Sequence, residues 1–144
     1  MSLTPRENAE HWGDYLMGYR WTLFATLTTR YPLTEARLVS AFDVWIRKLA
    51  RVAQGAPAWQ RSIEHHACGN HLHLHCLVWV PPPVIPSVAK GLWTLGKADV
   101  ERFDPNRGAA YYIGKNYLSA PDSYDLSRRL PPLAVTGAQG VVLP

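Results

Sequence analysis

The clearest pattern of apolar and polar positions lies in residues 34–54, where apolar residues recur at steps of four and three. They are Leu38, Phe42, Trp45, Leu49 and Val52. This spacing places one side of an α-helix against a core, while the charged residues between them face water. Gly55 and Pro57 end the pattern. The sequence therefore predicts an amphipathic helix over residues 34–54.

Strands are predicted where β-branched or aromatic residues accumulate, or where polar and apolar residues alternate. Four segments meet these criteria: 21–29, 59–66, 71–80 and 97–103. A turn at residues 68–70 joins the second and third segments into a hairpin. The sheet they form is therefore expected to be antiparallel.

Three further helices are predicted from start and stop signals. The first covers residues 4–17, with Thr4 as its N-cap and Pro5 in its first turn. A short helix follows at 86–92, and another runs from about 104 to 118, with Asp104 or Asn106 near its cap.

The order strand, helix, strand, strand, helix, strand, helix is typical of an α+β fold. We expect a central antiparallel β-sheet with helices on one face, which leaves the other face free. The domain is predicted to cover residues 1–118, with its core over about 20–118. Residues 119–144 are rich in proline and are predicted to form an irregular C-terminal tail.

Composition narrows the classes of function. The chain has 144 residues, of which 47% are hydrophobic and 18% charged, as expected for one globular domain. Its formal net charge of +4 suits a polyanionic partner. No apolar run is long enough to span a bilayer, and the N-terminus lacks the layout of a signal peptide. With only two cysteines, the chain is expected to be intracellular, without a disulfide framework and without a membrane partner.

The most informative chemical feature is a histidine-rich segment. Five of the six histidines fall within residues 65–75. His71, His73 and His75 alternate along a predicted strand, so their imidazoles project from the same side. Glu64, on the other strand of the hairpin, adds a carboxylate. Nitrogen and oxygen ligands with open positions suit Mg²⁺ or Mn²⁺.

Two other interpretations of the histidines stay open. The strand may simply present histidines to solvent, or Cys68 or Cys76 may complete a structural zinc site. The ligand pair is also open between His71 with His73 and His73 with His75. We favour the second pair, because the apolar residues after His75 suit entry into the core.

A second candidate group lies in the last predicted helix. Tyr112 and Lys115 are three residues apart and therefore neighbours on the helix surface. A tyrosine phenol ionises near pH 10, so an adjacent ammonium and a metal-bound phosphate would assist its attack. Tyr111 is the alternative nucleophile. Taken alone, these residues are equally consistent with ordinary helix aromatics beside a solvated lysine.

Taken together, these segments resemble the HUH endonuclease superfamily, in particular the small rolling-circle replication initiator (Rep) proteins. Residues 23–29 are similar to the family's first motif, a threonine-rich apolar strand. His73 and His75 match the His-apolar-His metal motif, and residues 109–115 resemble the tyrosine motif, Tyr-x-x-Lys. Residues 92–100 resemble the family's approach to that third motif. The resemblance covers about residues 20–118.

The resemblance implies a ferredoxin-like or RRM-like core and metal-dependent nicking of single-stranded DNA at a plasmid or viral origin. Tyr112 would attack a phosphate, become joined to the 5′ end and release a free 3′ hydroxyl. His73 and His75 would bind the metal with Glu64 as third ligand, and Lys115 would position substrate or stabilise charge. The extra His71 and the adjacent Tyr111 depart from the family pattern.

The sequence contains no phosphate-binding loop of the Gly-x-x-x-x-Gly-Lys-Ser/Thr type, so unwinding would require a host helicase or an exposed DNA hairpin. Two alternatives remain beside the replication initiator. One keeps the chemistry but changes the biology, as in a single-tyrosine transposase or a relaxase. The other is a non-catalytic relative that binds DNA or RNA, or acts as a regulator.

Overall fold

The structure is a computed structural model that describes residues 4–65, 71–81, 84–107 and 124–133. Its centre is a five-stranded sheet with the strand order β4-β1-β3-β2-β5, and every neighbouring pair is antiparallel. The elements are α1 (Pro5–Met17), β1 (Leu23–Leu27), α2 (Glu35–Ala53), β2 (Ala58–His65), β3 (Leu72–Trp79), α3 (Pro86–Gly91), β4 (Ala98–Arg102), a 3₁₀ turn (Pro105–Arg107) and β5 (Tyr124–Leu126). The predicted α+β fold with a central antiparallel sheet is confirmed.

The helices begin at the predicted caps. The Thr4 hydroxyl accepts a hydrogen bond from the Glu7 amide, and the Thr4 amide donates to the Glu7 carboxylate at 2.7 Å, which completes a capping box. These hydrogen bonds from Thr4 lower the pKa of Glu7. Thr34 caps α2 in the same way, and α2 ends at Gln54 in the left-handed conformation. No helix within the described parts of the chain is long and apolar enough to cross a bilayer.

One face of the sheet packs against α2 and forms the main core. Leu38, Phe42, Trp45 and Leu49 are buried there as predicted, but Val52 is 38% exposed and Ala53 takes its place. The sheet contributes alternate residues to this core, namely Leu23, Ala25 and Leu27 of β1 and Leu72, Leu74, Cys76 and Val78 of β3. Two indole N–H groups tie the layers together: Trp45 donates to the Ala89 carbonyl at 2.9 Å and Trp93 to that of Thr28 at 2.8 Å.

The second face of the sheet is covered at one end. Leu16, in the last turn of α1, and Trp21 pack on Leu77 of β3. The Trp21 indole N–H also donates to the Leu16 carbonyl at 2.8 Å. The expectation that this face is left wholly free is therefore wrong at that end, because β3 presents an apolar residue on this side that needs cover. The histidine end of the same face lies two and four residues closer to the start of β3.

The segment predicted as an irregular tail contributes to the sheet. β5 pairs with β2, and an isolated bridge joins Leu133 to Tyr19. The prediction of irregular structure is therefore wrong for these residues, since the edge of β2 offers backbone partners that a local pattern does not reveal. Of the helix predicted over 104–118, the structure describes only the 3₁₀ turn at its start, and residues 108–118 lie outside the described residues.

Candidate functional site

Strand register brings the candidate ligands to the second face of the sheet. His75 of β3 lies between Thr26 of β1 and Ser62 of β2, and His73 lies opposite Glu64. Side chains alternate between faces along a strand, so these five residues share the face opposite the α2 core. The hairpin predicted from the sequence thus places a carboxylate beside two imidazoles.

The centre of the site is a chain of two hydrogen bonds through His75. Its Nε2 lies 2.8 Å from Glu64 Oε2, and its Nδ1 lies 3.1 Å from Thr26 Oγ1. Glu64 therefore reaches diagonally along the strands to His75, although its backbone partner is His73. With both ring nitrogens held and only 7% of the residue exposed, the imidazole of His75 has a defined orientation.

The protonation of His75 follows from this environment. Burial lowers the pKa of His75 below its ordinary value, and the hydrogen bond and charge of Glu64 act in the opposite direction without reversing the shift. The imidazole is therefore neutral at pH 7. An ionised carboxylate can only accept, so the single ring proton lies on Nε2 and Nδ1 accepts from the Thr26 hydroxyl.

The other two histidines occupy different positions. The ring centroid of His73 lies 6.3 Å from that of His75, with an interplanar angle of 73°. The Nε2 of His71 lies 3.0 Å from the carbonyl oxygen of Thr29, to which it donates. The structure thus joins Glu64 directly to His75, sets His73 beside that pair, and engages His71 with the backbone after β1.

The arrangement fits a divalent ion in part. Two ligand atoms about 2.1 Å from one ion in neighbouring octahedral positions are about 3.0 Å apart. The observed 2.8 Å between Glu64 and His75 is close to this separation, so the two atoms can face one ion after a small adjustment. Within the described residues, however, no group of three or more His, Cys, Asp or Glu side chains is placed to hold a metal.

The cysteines do not add to this site as far as the structure describes them. Cys76 is fully buried on the α2 face of the sheet, opposite the histidines. Burial strongly raises the pKa of its thiol, which keeps the sulfur protonated and unsuited to zinc. Cys68, the other candidate for a zinc site, lies outside the described residues, as do Tyr111, Tyr112 and Lys115.

Some polar groups of this face were not identified from the sequence. Ser62 and Gln60 of β2 are 2% and 0% exposed, and the Ser62 hydroxyl and both polar atoms of the Gln60 amide are buried without a hydrogen-bond partner. Thr26 lies within a segment singled out only as a strand motif. The one available signal was their position, since residues 60, 62 and 64 alternate toward the same face.

An open pocket adjoins the site on its β1 side. Its volume is about 330 Å³, and Phe24, Thr26, Asp99 and Glu101 are among the residues that line it. Thr26 therefore contacts both the pocket and the His75 ring. A molecule in the pocket would lie one side chain away from the histidine.

Comparison with known proteins identifies the fold and no activity. No family model matches the chain, and no curated protein matches it. Among solved structures, it is similar to the hypothetical protein ORF119 from Sulfolobus islandicus rod-shaped virus 1, with a TM-score of 0.53 and 17% identity. The match covers 82% of this chain and 97% of the viral protein. What the comparison establishes is a shared α+β fold.

Proposed function

We propose that the protein is a metal-dependent nickase and rejoining enzyme of single-stranded DNA, which initiates rolling-circle replication of a plasmid or virus in a prokaryotic cytoplasm. The observation that carries the proposal is the close contact of Glu64 with His75 on the sheet face opposite the α2 core. The sequence motif that contains Tyr112 and Lys115 supplies the remaining chemistry.

Glu64, His75 and His73 are the residues that would hold the metal. Oxygen and imidazole donors with further positions open to phosphate and water favour Mg²⁺ or Mn²⁺. Such an ion would act as a Lewis acid on the scissile phosphate. Because His75 is neutral at pH 7, its ring does not have to lose a proton to the solvent before it binds a cation.

The bond changes of the proposed reaction involve Tyr112. Its phenolic oxygen forms a bond to the phosphorus and gives up its proton to solvent. The bond from phosphorus to the 3′ oxygen breaks, and that oxygen takes a proton to become a free hydroxyl. Lys115 stabilises the negative charge that develops on the phosphate. The 5′ end stays joined to the tyrosine, so attack by a 3′ hydroxyl reverses the step and rejoins the strand.

The surroundings of the site suit a single strand. Phe24 lines the pocket beside Thr26 and offers an aromatic ring for an unpaired base. The net charge of +4 favours a polyanion. A host helicase or a naturally exposed hairpin would supply the single strand. A single-tyrosine transposase or relaxase would use the same residues, and a transposase is expected to be a dimer in solution.

The test is formation of a covalent adduct. The protein is incubated with end-labelled pools of single-stranded DNA and Mn²⁺, and the products are separated on a denaturing gel. We expect a protein–DNA adduct that disappears with a chelator and with Tyr112→Phe. Tyr111→Phe is the matched control, because it removes the adjacent phenol and should leave the adduct intact.

Other outcomes would change the proposal in defined ways. An adduct lost with Tyr111→Phe and kept with Tyr112→Phe would move the nucleophile by one residue. Measurable binding of DNA or RNA without any adduct would replace the nickase by a non-catalytic binding module. Binding that does not weaken with salt would contradict nucleic acid as the main partner, since phosphate contacts release counterions.

A further inference from the structure

The Thr26 hydroxyl occupies a position that the fold does not require. Thr26 lies in the middle of β1, and its Oγ1 is 3.1 Å from His75 Nδ1, on the opposite side of the ring from Glu64. A valine would suit a strand equally well, because β-branched residues share this preference. The hydroxyl therefore has to be explained by what it does to His75.

The direction of each hydrogen bond is determined when no metal is bound. The Glu64 carboxylate accepts, so the ring carries its proton on Nε2. Nδ1 is then a lone pair, and Thr26 donates its O–H to it. In this arrangement the nitrogen nearest Glu64 has no lone pair available for a cation.

Metal binding requires the opposite arrangement. If Nε2 and the Glu64 oxygen both face one ion, Nε2 must present its lone pair, and the single ring proton must lie on Nδ1. An N–H at Nδ1 needs an acceptor in that buried place, and the only atom seen there is Thr26 Oγ1. A hydroxyl can rotate its hydrogen away and accept, so one side chain serves both tautomers.

We propose that Thr26 is a positioning residue that holds His75 in the metal-binding tautomer by changing from donor to acceptor when the ion binds. The proposal rests on the metal site of the proposed function. Metal-binding histidines commonly donate their second N–H to a neighbouring oxygen, and loss of that partner weakens metal affinity by about 10- to 100-fold. A threonine hydroxyl differs from a carboxylate or a carbonyl in that role, because it also stabilises the metal-free tautomer.

Three variants separate this role from a structural one. Thr26→Val keeps the shape and removes the hydroxyl, and Thr26→Ser keeps the hydroxyl. Thr22→Val is the matched control, because the Thr22 hydroxyl bonds to the backbone at Val78 and Val80 and not to His75. Mn²⁺ affinity is measured for each by calorimetry. We expect about 10- to 100-fold weaker binding for Thr26→Val, restoration by Thr26→Ser, and no change for Thr22→Val.

A second measurement uses the unmodified protein and needs no variant to fold. Long-range ¹⁵N–¹H spectra report which nitrogen of His75 carries the proton. We expect the proton on Nε2 in chelator and on Nδ1 in saturating Mg²⁺. A proton already on Nδ1 in chelator, or Thr26→Val that binds Mn²⁺ as the wild type does, would overturn the role of Thr26 and leave the metal site standing. Wild-type protein that binds neither ion would refute the metal site itself, and the role of Thr26 with it.

Discussion

Gly96 is the position where a single methyl group should disturb the fold most directly. A Cβ built there would lie 2.5 Å from the Thr28 carbonyl oxygen, 2.8 Å from the Arg30 amide nitrogen and 2.8 Å from the Thr29 Cα. All three are backbone atoms, and Cβ atoms in real proteins essentially never approach others within 3.0 Å. Gly96→Ala therefore forces the segment after β1 away from the segment before β4.

That displacement acts on hydrogen bonds that close this end of the sheet. The Thr28 amide donates to the Lys97 carbonyl at 2.9 Å, and the Arg30 amide donates to the Leu95 carbonyl at 2.8 Å. Overpacking of this kind costs about 1 to 3 kcal/mol of unfolding free energy. For a chain of this length each kcal/mol lowers Tm by about 2 to 4 °C, so we expect a fall of about 2 to 12 °C.

Urea and thermal unfolding measure this effect, with Gly91→Ala as the control. A Cβ at Gly91 meets no atom within 4 Å, so this variant should match the wild type or gain up to about 1 kcal/mol from a less flexible unfolded chain. The reasoning is refuted if Gly96→Ala is as stable as Gly91→Ala. Because the Thr29 carbonyl binds His71, the His71 ring should also shift its NMR signals in Gly96→Ala.

Two further predictions concern groups on the α2 face. The Arg61 guanidinium lies 3.3 Å from Asp43, 3.2 Å from Asp125 and 4.5 Å from the Trp59 ring centre. Arg61→Ala should therefore cost about 2 to 3 kcal/mol in urea unfolding, whereas Asp125→Asn should cost less than about 1 kcal/mol; equal losses would contradict this assignment. Burial raises the pKa of Cys76, so iodoacetamide at pH 8 should label it only in denaturant, as peptide mass spectrometry can show; rapid labelling of the folded protein would contradict its burial.

Local patterns were sufficient for most of the fold. The apolar spacing of α2, the Thr4 and Thr34 caps and the alternation of β3 all act between residues close in sequence, and each prediction is confirmed. The hairpin of β2 and β3 was likewise predictable, and it places Glu64 beside the histidines. Residues near each other in the chain thus identified the main members of the candidate site.

The features that were missed depend on distant partners. β5 has only three residues, and it is a strand because β2 offers it an edge more than 60 residues earlier in the chain. Arg61 reads as an ordinary charged strand residue until Asp125 is placed beside it. Thr26 and His75 are 49 residues apart, and only the register of β1 on β3 reveals their contact. Such pairings leave no periodic signal in the sequence.

The most direct test of the account measures adduct yield on single-stranded DNA against Mn²⁺ concentration for the wild type, His75→Ala and His11→Ala. His11 is an exposed histidine of α1, so it controls for the loss of an imidazole elsewhere on the protein. The account predicts equal, Mn²⁺-dependent adduct formation by the wild type and His11→Ala and none by His75→Ala. Adduct formation by His75→Ala at the wild-type level and the same Mn²⁺ concentration would contradict it.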